Sequence, residues 1–277
     1  NEKVKFATML GTMQSTLTDF RYISDEWKQN CEDERLLGVS LTGICDNEFT
    51  STLTPELEDA MLKWKETSVQ TNKEFADQLN IKPSAAITCI KPSGTVSQLV
   101  DSASGIHPRH SHYYIRTVRM DNNDSMCKFM QDMGFPNEPD VTKPDHTSVF
   151  SFPMTSSLTA KMRDDLSAIE MMELCLSYQR FWCEHKASIT VTVKEEEWME
   201  VGSWVYDNFN LMSGMSFLPH SDHGYAQAPY QECDGEAHDK LLKKMPSVDW
   251  SELANYEAED YTTASQELAC VGNSCEI

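Results

Sequence analysis

Apolar positions recur at helical spacing in several long stretches, and short apolar runs lie between them. Thr54 and Pro55 read as the N-cap and first residue of a helix that runs to about Leu79, with Leu57, Met61, Leu62, Trp64 and Phe75 in its pattern. Ala85 to Ile90 then reads as a strand, Lys91-Pro92-Ser93-Gly94-Thr95 as a turn, and Val96 to Val100 as a weak helix. The next unit pairs a strand from Tyr113 to Val118 with a helix from about Asn123 to Met133, stopped by Gly134. A strand at Thr147 to Phe152 precedes a helix predicted from about Ala160 to His185, in which Leu166, Ile169, Met172, Leu176 and Phe181 recur near helical spacing. Ile189 to Val193 reads as a strand. Glu195, Glu196 and Glu197 favour the positive end of the following helix, with Trp198, Val201, Val205 and Phe209 as its buried face. Strands alternating with helices predict an α/β fold, as a layer or a barrel.

The composition changes from about Ser247, where Asp249, Glu252, Glu257, Glu259, Asp260 and Glu267 dominate a stretch with few aliphatic side chains. This divides the chain into a folded part, 1–246, and an acidic tail, 247–277, expected to be mobile. Forty-four acidic against 23 basic residues give a formal charge of -21. Such a surface repels polyanions, which argues against a nucleic-acid polymer as partner but leaves room for a small phosphorylated ligand held by local N–H groups. The absence of a long apolar run and of a signal-peptide core predicts no membrane span and a cytoplasmic protein. Asn1 at the first position suggests processing, a split gene or a fragment, with sequence expected upstream.

Nine scattered cysteines do not form a small disulfide framework, and most are expected as buried thiols. Cys270 and Cys275 differ from the others. Separated by small, flexible residues near the end of the acidic stretch, they suit thiol–disulfide exchange with an external reductant; the alternative is a frayed end with incidental cysteines. Pro92, Ser93, Gly94, Thr95, Val96 and Ser97 follow a strand and open a helix, where N–H groups and hydroxyls can bind phosphate; an ordinary capped turn is the alternative. The stretch from Ser104 to Arg116 concentrates histidines, tyrosines and arginines in an acidic chain and suggests a ligand-contact surface. Pro108 prevents regular helical presentation of His107, His110 and His112, so these read as surface or ligand contacts and no metal site is assigned. His220, Asp222 and His223 are read the same way.

Together these stretches resemble the class II ribonucleotide reductases, closest to the adenosylcobalamin-dependent ribonucleoside-triphosphate reductases. The resemblance is carried, in order, by Gly11 to Phe20, Glu34 to Gly43, Lys91 to Ser97, Gly105 to Arg116, Ser216 to Pro219 and Gln227 to Tyr230. It implies the carboxy-terminal half of a ten-stranded α/β barrel, with substrate phosphates on Pro92 to Ser97. It also implies adenosylcobalamin contacts from Ser104 onward (Gly105, His107, Pro108, Arg109, Tyr113, Arg116) and from Gly224 onward (Gly224, Tyr225). The terminal pair, Cys270 and Cys275, would reduce the active-site disulfide and be recharged by thioredoxin.

In that family a thiyl radical removes the 3′ hydrogen of the ribonucleotide, the 2′ hydroxyl leaves as water, and two thiols supply the electrons. The radical cysteine and its neighbours belong to upstream sequence, and no cysteine of this chain takes its place. The expected activity is therefore reduction of ribonucleoside triphosphates to 2′-deoxyribonucleoside triphosphates together with a missing amino-terminal portion. The alternatives are a non-catalytic redox or nucleotide-binding module and a portion of a class I large subunit; the Gly105 to Arg116 block argues against the last.

Overall fold

The computed structural model describes residues 1–220 and 226–257, apart from the side chains of Thr95 and Gln98, and the backbone of 270–271 and 274–275. Its helices are α1 (Glu2–Gln14), α2 (Asp25–Glu34), α3 (Glu48–Ser51), α4 (Pro55–Gln78), α5 (Gly94–Leu99), α6 (Ser125–Asp132), α7 (Ala168–Phe181), α8 (Trp198–Asn208) and α9 (Gly235–Leu242). Its strands are β1 (Val39–Ser40), β2 (Thr88–Cys89), β3 (Tyr113–Asp121), β4 (Asn137–Pro139), β5 (Thr147–Thr155), β6 (Thr190–Val193), β7 (Ser216–Pro219), β8 (Tyr230–Glu232), β9 (Cys270–Val271) and β10 (Ser274–Cys275). These fall into two interleaved units, Asn1–Arg109 with Thr159–His220 and His110–Leu158 with Ser221–Glu276.

The first unit is a parallel ladder built by helical crossovers. β1 pairs with β2 through Val39↔Thr88 and Ser40↔Cys89, Ile90 bridges Ala187, and β6 pairs with β7 from Thr190↔Ser216 to Val193↔Pro219, all parallel. Parallel neighbours need long connections. Here α4 lies between β1 and β2, α7 precedes β6, and α8 lies between β6 and β7. The α/β expectation therefore holds.

α4 starts where the sequence places it: Thr54 Oγ1 accepts the N–H of Leu57 at 3.2 Å, and Pro55 occupies the first turn. It buries Leu57 and Met61 in a core shared with Ile87, Ile90, Met172, Tyr178, Trp182 and Val191. Truncating one such fully buried Leu or Met to Ala costs about 2–5 kcal/mol. The polar tips in this core are satisfied: Trp182 Nε1 donates to the Cys89 carbonyl at 2.8 Å and the Tyr178 hydroxyl to the Thr50 carbonyl at 2.8 Å.

Three expectations are corrected in this unit. The helix predicted from Ala160 begins at Ala168, because Ser167 and Glu170 form a capping box: Ser167 Oγ accepts the Glu170 N–H and Glu170 Oε2 accepts the Ser167 N–H. The preceding residues instead pair with other loops, with Lys161 N donating to the Cys45 carbonyl and Arg163 N to the Arg109 carbonyl. That helix also stops at Phe181, and Glu184 and His185 donate back to the Thr88 carbonyl. On α8, which opens with a 3-10 turn at Glu195–Glu197, Val201 is buried and Val205 packs on the core. Trp198 and Phe209, expected on that face, are exposed. Trp204 takes their place and donates its indole N–H to Glu173 of α7.

α1 is absent from the sequence-based expectation, for a reason visible in its faces. Its buried positions are Val4, Thr8 and Thr12, whereas Phe6, Leu10 and Met13 are each more than half exposed. Thr8 and Thr12 satisfy their hydroxyls on the carbonyls four residues back, and Thr12 also accepts from Asn72 of α4 at 2.9 Å.

The second unit is an antiparallel sheet in the order β4-β5-β3-β8. β3 and β5 pair residue for residue from Tyr113↔Thr155 to Asp121↔Thr147. α6 is capped by Asp124, whose carboxylate accepts the Met126 N–H at 2.8 Å, and Gly134, at φ +83, follows its end. A second core gathers Cys127, Phe129, Met130, Phe135 and Phe150. Residues Trp250–Asn255, read from composition as the start of the acidic tail, form a 3-10 turn in which Trp250 meets Phe129 and Phe135. The Tyr256 ring lies against Phe129 and its hydroxyl reaches Asp132 at 3.0 Å. Aromatic side chains bury enough surface to anchor a locally acidic segment.

Candidate functional site

β2 delivers the chain to a turn interlocked with two other loops of the first unit. The Lys91 N–H donates to Ser40 Oγ at the end of β1, at 3.0 Å. The N–H groups of Ser93 and Gly94 converge on one oxygen, Ser104 Oγ, at 2.9 and 3.2 Å. Thr42 Oγ1 lies 2.9 Å from Ser93 Oγ and accepts the Gly105 N–H at 3.0 Å, while Ser93 Oγ lies within 3.2 Å of the same N–H. Three hydroxyls and three N–H groups therefore meet at the carboxyl end of two parallel strands, where open α/β layers bind ligands. Gly94 and Gly105 both have positive φ, and a Cβ at Gly105 would come within 2.7 Å of the Lys91 carbonyl.

Of the predicted phosphate residues, Pro92 is exposed, Ser93 and Gly94 are half-buried, and Val96 is exposed on α5. Ser97 points inward, donating Oγ to the Gly94 carbonyl at 2.8 Å, so it braces the turn from below. Thr95 contributes described backbone only. Ser104 was read as the start of a ligand-contact stretch and Thr42 only within the Glu34 to Gly43 block, while Asp46 was not singled out. The contacts of Thr42 and Asp46 to the turn and its supporting loop appear only when β1 and β2 are paired.

The residues from Ser104 to Arg109 in this unit are engaged within the chain. His107 is buried, with Nδ1 3.0 Å from the Ser104 carbonyl and Nε2 3.0 Å from the Thr190 N–H. Those partners fix a neutral ring with the proton on Nδ1. Burial lowers its pKa to about 4, against the opposing hydrogen bond to the Ser104 carbonyl. Arg109 is also buried: its Nε and Nη2 meet the two carboxylate oxygens of Asp46 at 2.8 and 3.2 Å, and Nη2 also donates to the Asp101 carbonyl at 2.7 Å.

In the second unit Arg116 is buried with its guanidinium 4.5 Å from the centre of the Tyr230 ring, and Tyr113 packs between His112 and His238. His107 and Arg109 thus have their polar atoms engaged within the chain, and Arg116 Nη1 donates to the Pro229 carbonyl at 3.3 Å. Pro108 is half-buried, and Gly224 and Tyr225 lie outside the described residues.

Cys45, Cys89, Cys127, Cys175 and Cys183 are buried thiols, and burial pushes Cys45, Cys175 and Cys183 up to about 12. None of those three is a thiolate near neutral pH. β9 and β10 are antiparallel with Cys275 directly opposite Cys270. Either spacing of directly opposed residues in an antiparallel pair, about 4.5 or 5.5 Å between Cα atoms, lies within disulfide reach. Among the described residues no group of three His, Cys, Asp or Glu side chains is placed to hold a metal ion, and no helix is long and apolar enough to cross a membrane.

No family model matches the chain. It is similar to curated proteins named adenosylcobalamin-dependent ribonucleoside-triphosphate reductase. The one from Euglena gracilis is 26% identical over 254 residues, covering 90% of this chain and 35% of the relative. The one from Lacticaseibacillus paracasei is 26% identical over 296 residues, covering 94% and 38%. A probable member from Dictyostelium discoideum is 27% identical over 250 residues, covering 88% and 32%. Among solved structures, a B12-dependent class II ribonucleotide reductase superposes with a TM-score of 0.78 at 19% identity, over 94% of this chain and 40% of that one. The chain therefore has the fold of a part of that reductase and spans about a third of the length of the curated relatives it matches.

Proposed function

We propose that this chain supplies the carboxy-terminal part of a ribonucleotide reductase that converts ribonucleoside triphosphates to 2′-deoxyribonucleoside triphosphates. The observation that carries the reading is likeness to such reductases over nine-tenths of the chain, in a chain whose interlocked turn closes the end of β2. The ladder β1-β2-β6-β7 then forms strands of one half of a ten-stranded α/β barrel, and the turn at Pro92 to Ser97 takes the triphosphate. The hydroxyls gathered there are donors suited to phosphate oxygens, on a backbone whose N–H groups are held by Ser104, Thr42 and Ser93.

Adenosylcobalamin is the cofactor of the whole enzyme in this reading. The side chains of His107 and Arg109 do not fit direct contact with it, since their polar atoms are engaged inside the protein, and Arg116 is buried against Tyr230 with Nη1 on the Pro229 carbonyl. Gly105, Pro108 and Tyr113, with Gly224 and Tyr225, are the remaining candidates of the two stretches.

The exposed Phe6, Leu10 and Met13 face of α1 supports a polypeptide partner, because a helix that buries threonines and exposes its large apolar residues is complete only when covered. That partner is the amino-terminal portion carrying the radical cysteine. Cys270 and Cys275 act as the dithiol that carries electrons from thioredoxin in a reducing cytoplasm. Their Cα positions, opposed across β9 and β10, suit the disulfide form that this shuttle passes through.

The test is reconstitution of the chain with the amino-terminal portion, adenosylcobalamin, a ribonucleoside triphosphate and thioredoxin. Deoxynucleotide is expected only when both polypeptides are present; a mixture that neither binds nor reduces nucleotide rejects the reading. In the same assay Cys270→Ser or Cys275→Ser is expected to abolish turnover with thioredoxin and leave turnover with dithiothreitol largely intact, because a small dithiol reaches the site without the shuttle. Equal loss with both reductants would assign the pair a structural role.

A further inference from the structure

We infer that Arg109 and Asp46 are positioning residues for the triphosphate turn, and that Arg109 is not a cofactor contact. The inference rests on the reading of Pro92 to Ser97 as the nucleotide site. Asp46 grips the loop behind the turn with both carboxylate oxygens: Oδ2 accepts the Ala103 N–H at 2.7 Å, and Oδ1 and Oδ2 accept from Arg109 at 2.8 and 3.2 Å. Arg109 in turn fixes Asp101, a non-glycine residue at φ +46, through its carbonyl at 2.7 Å and its carboxylate at 3.3 Å. Residues held in left-handed backbone persist only where their surroundings over-determine them.

Between Asp101 and Arg109 lie Ser104, whose Oγ receives the N–H groups of Ser93 and Gly94, and Gly105, whose N–H reaches Thr42 and Ser93. The guanidinium therefore sets where Ser104 Oγ stands, and Ser104 Oγ, by accepting the N–H groups of Ser93 and Gly94, fixes the backbone of the turn. The Arg109 backbone is itself fixed, donating to the Lys161 carbonyl at 3.0 Å and accepting from Arg163 at 2.9 Å. A planar fork gripping both oxygens of one carboxylate holds this geometry where a lysine ammonium would not.

The experiment measures affinity of the full chain, with its amino-terminal portion, for CTP by calorimetry and for hydroxocobalamin by corrin absorbance. Asp46→Asn keeps an acceptor for Ala103 N, and Arg109→Lys keeps the charge without the fork. Each is expected to weaken CTP binding by about tenfold while changing cobalamin affinity less than about twofold, since donors displaced by a fraction of an ångström lose much of their hydrogen bonding. The loss in Arg109→Lys is the discriminating result, since a purely charge-based role would leave that variant at wild-type affinity and impair only Arg109→Ala. Arg119→Lys, at a comparable ion pair in the second unit, serves as the control and should leave CTP affinity unchanged.

Wild-type CTP binding with Asp46→Asn and Arg109→Lys bound equally well overturns the inference and leaves the proposed function standing. So does weakened cobalamin binding with CTP affinity intact, or an equal loss of CTP affinity in Arg119→Lys. Absence of CTP binding by the wild type overturns both readings. If Asp46→Asn does not fold, Asp101→Asn, which alters only the exposed end of the network, is expected to give a smaller loss of CTP affinity, and no loss there overturns the inference.

Discussion

Among the described residues each unit has an arginine gripping an aspartate with an Nε–Oδ distance of 2.8 Å, yet the two pairs are built in opposite senses. In the first unit the arginine is the deeply buried member, Arg109 at 5% exposure against 17% for Asp46. In the second it is the carboxylate, Asp140 at 3% against 21% for Arg119. Asp46 spends its remaining capacity on one loop N–H, that of Ala103. Asp140 accepts from the backbone and hydroxyl of Thr142 and the backbone of Lys143. Its partner Arg119 also holds the carbonyl of Gln227, a buried residue at φ +59 whose amide bonds Glu138, Pro139 and Val141. One pair orients a loop beside an interlocked turn; the other fastens the edge of a sheet. Burial of charge alone does not mark a functional residue, and the groups that a pair holds in place decide its role.

The largest expected effect follows from that asymmetry. Removing one member of a buried pair leaves its neighbours' polar groups uncompensated, typically at about 3–5 kcal/mol. Asp140→Ala, which strands four donors, is expected near the upper part of that range in urea unfolding. Asp46→Ala should cost less stability, because it strands three donors and Arg109 keeps its bonds to Asp101. A reversed order of the two would break the comparison.

Acid should separate the units as well. The unfolded imidazole of His107 takes up a proton near pH 6.5 and the folded one only near about 4. The unfolded chain therefore binds more protons between those values, and stability in the first unit falls as pH drops through the window, by at most about 3 kcal/mol. For Asp140, burial alone would raise the pKa, but the hydrogen bonds from Thr142, Arg119 and Lys143 outweigh it and lower the value from 3.8 to about 2. Its contribution is complete above the unfolded value and is lost only as pH falls toward 2. Hydrogen exchange across a pH series is expected to show β6 amides loosening before those of β3 and β5. His107→Gln should flatten the first window and leave the second unchanged; simultaneous loosening of both units would refute the assignment.

At the turn itself the expected change is in binding more than in stability. Gly94 has φ +41, where a β-branched side chain costs about 1–2 kcal/mol and obstructs close backbone approach. Gly94→Val is expected to weaken CTP binding by about tenfold or more in a protein that still unfolds cooperatively. Unchanged affinity in a folded variant would remove this turn as the triphosphate site.

How much of this was legible in the sequence differs between the units for physical reasons. α4, α6 and the paired strands β3 and β5 declared themselves through caps, turn residues and apolar runs, because their cores are satisfied inside the chain. α1 did not, since its large apolar residues face outward and its threonines face inward. The Lys91 to Ser97 turn was visible as a strand-to-helix junction. The roles of Thr42 and Asp46 were not, because hydrogen bonds between residues more than fifty positions apart leave no local period. Arg109 and His107 attracted attention as polar residues in a dense cluster, and only burial and partner geometry distinguish a brace from a ligand contact. The capping box at Ser167 was readable from Ser-x-x-Glu spacing, and the apolar periodicity extending upstream to Leu166 hid it.

That capping box provides the smallest effect and the control that separates stability from positioning. Ser167 Oγ accepts the Glu170 N–H at 3.2 Å, and Glu170 Oε2 returns to the Ser167 N–H at 2.8 Å, so two otherwise unpaired helix-terminal donors are satisfied at once. Ser167→Ala removes the first bond and is expected to destabilise the chain by about 1 kcal/mol, in line with other helix N-caps. The residue has no hydrogen bond to the turn, to Ser104 or to the Arg109–Asp46 pair, and its effect on CTP affinity should lie within twofold. If instead Ser167→Ala weakened CTP binding as much as Arg109→Lys does, loss of affinity would track general loosening of the first unit. The two arginine–aspartate pairs would then differ only in where they stabilise the fold.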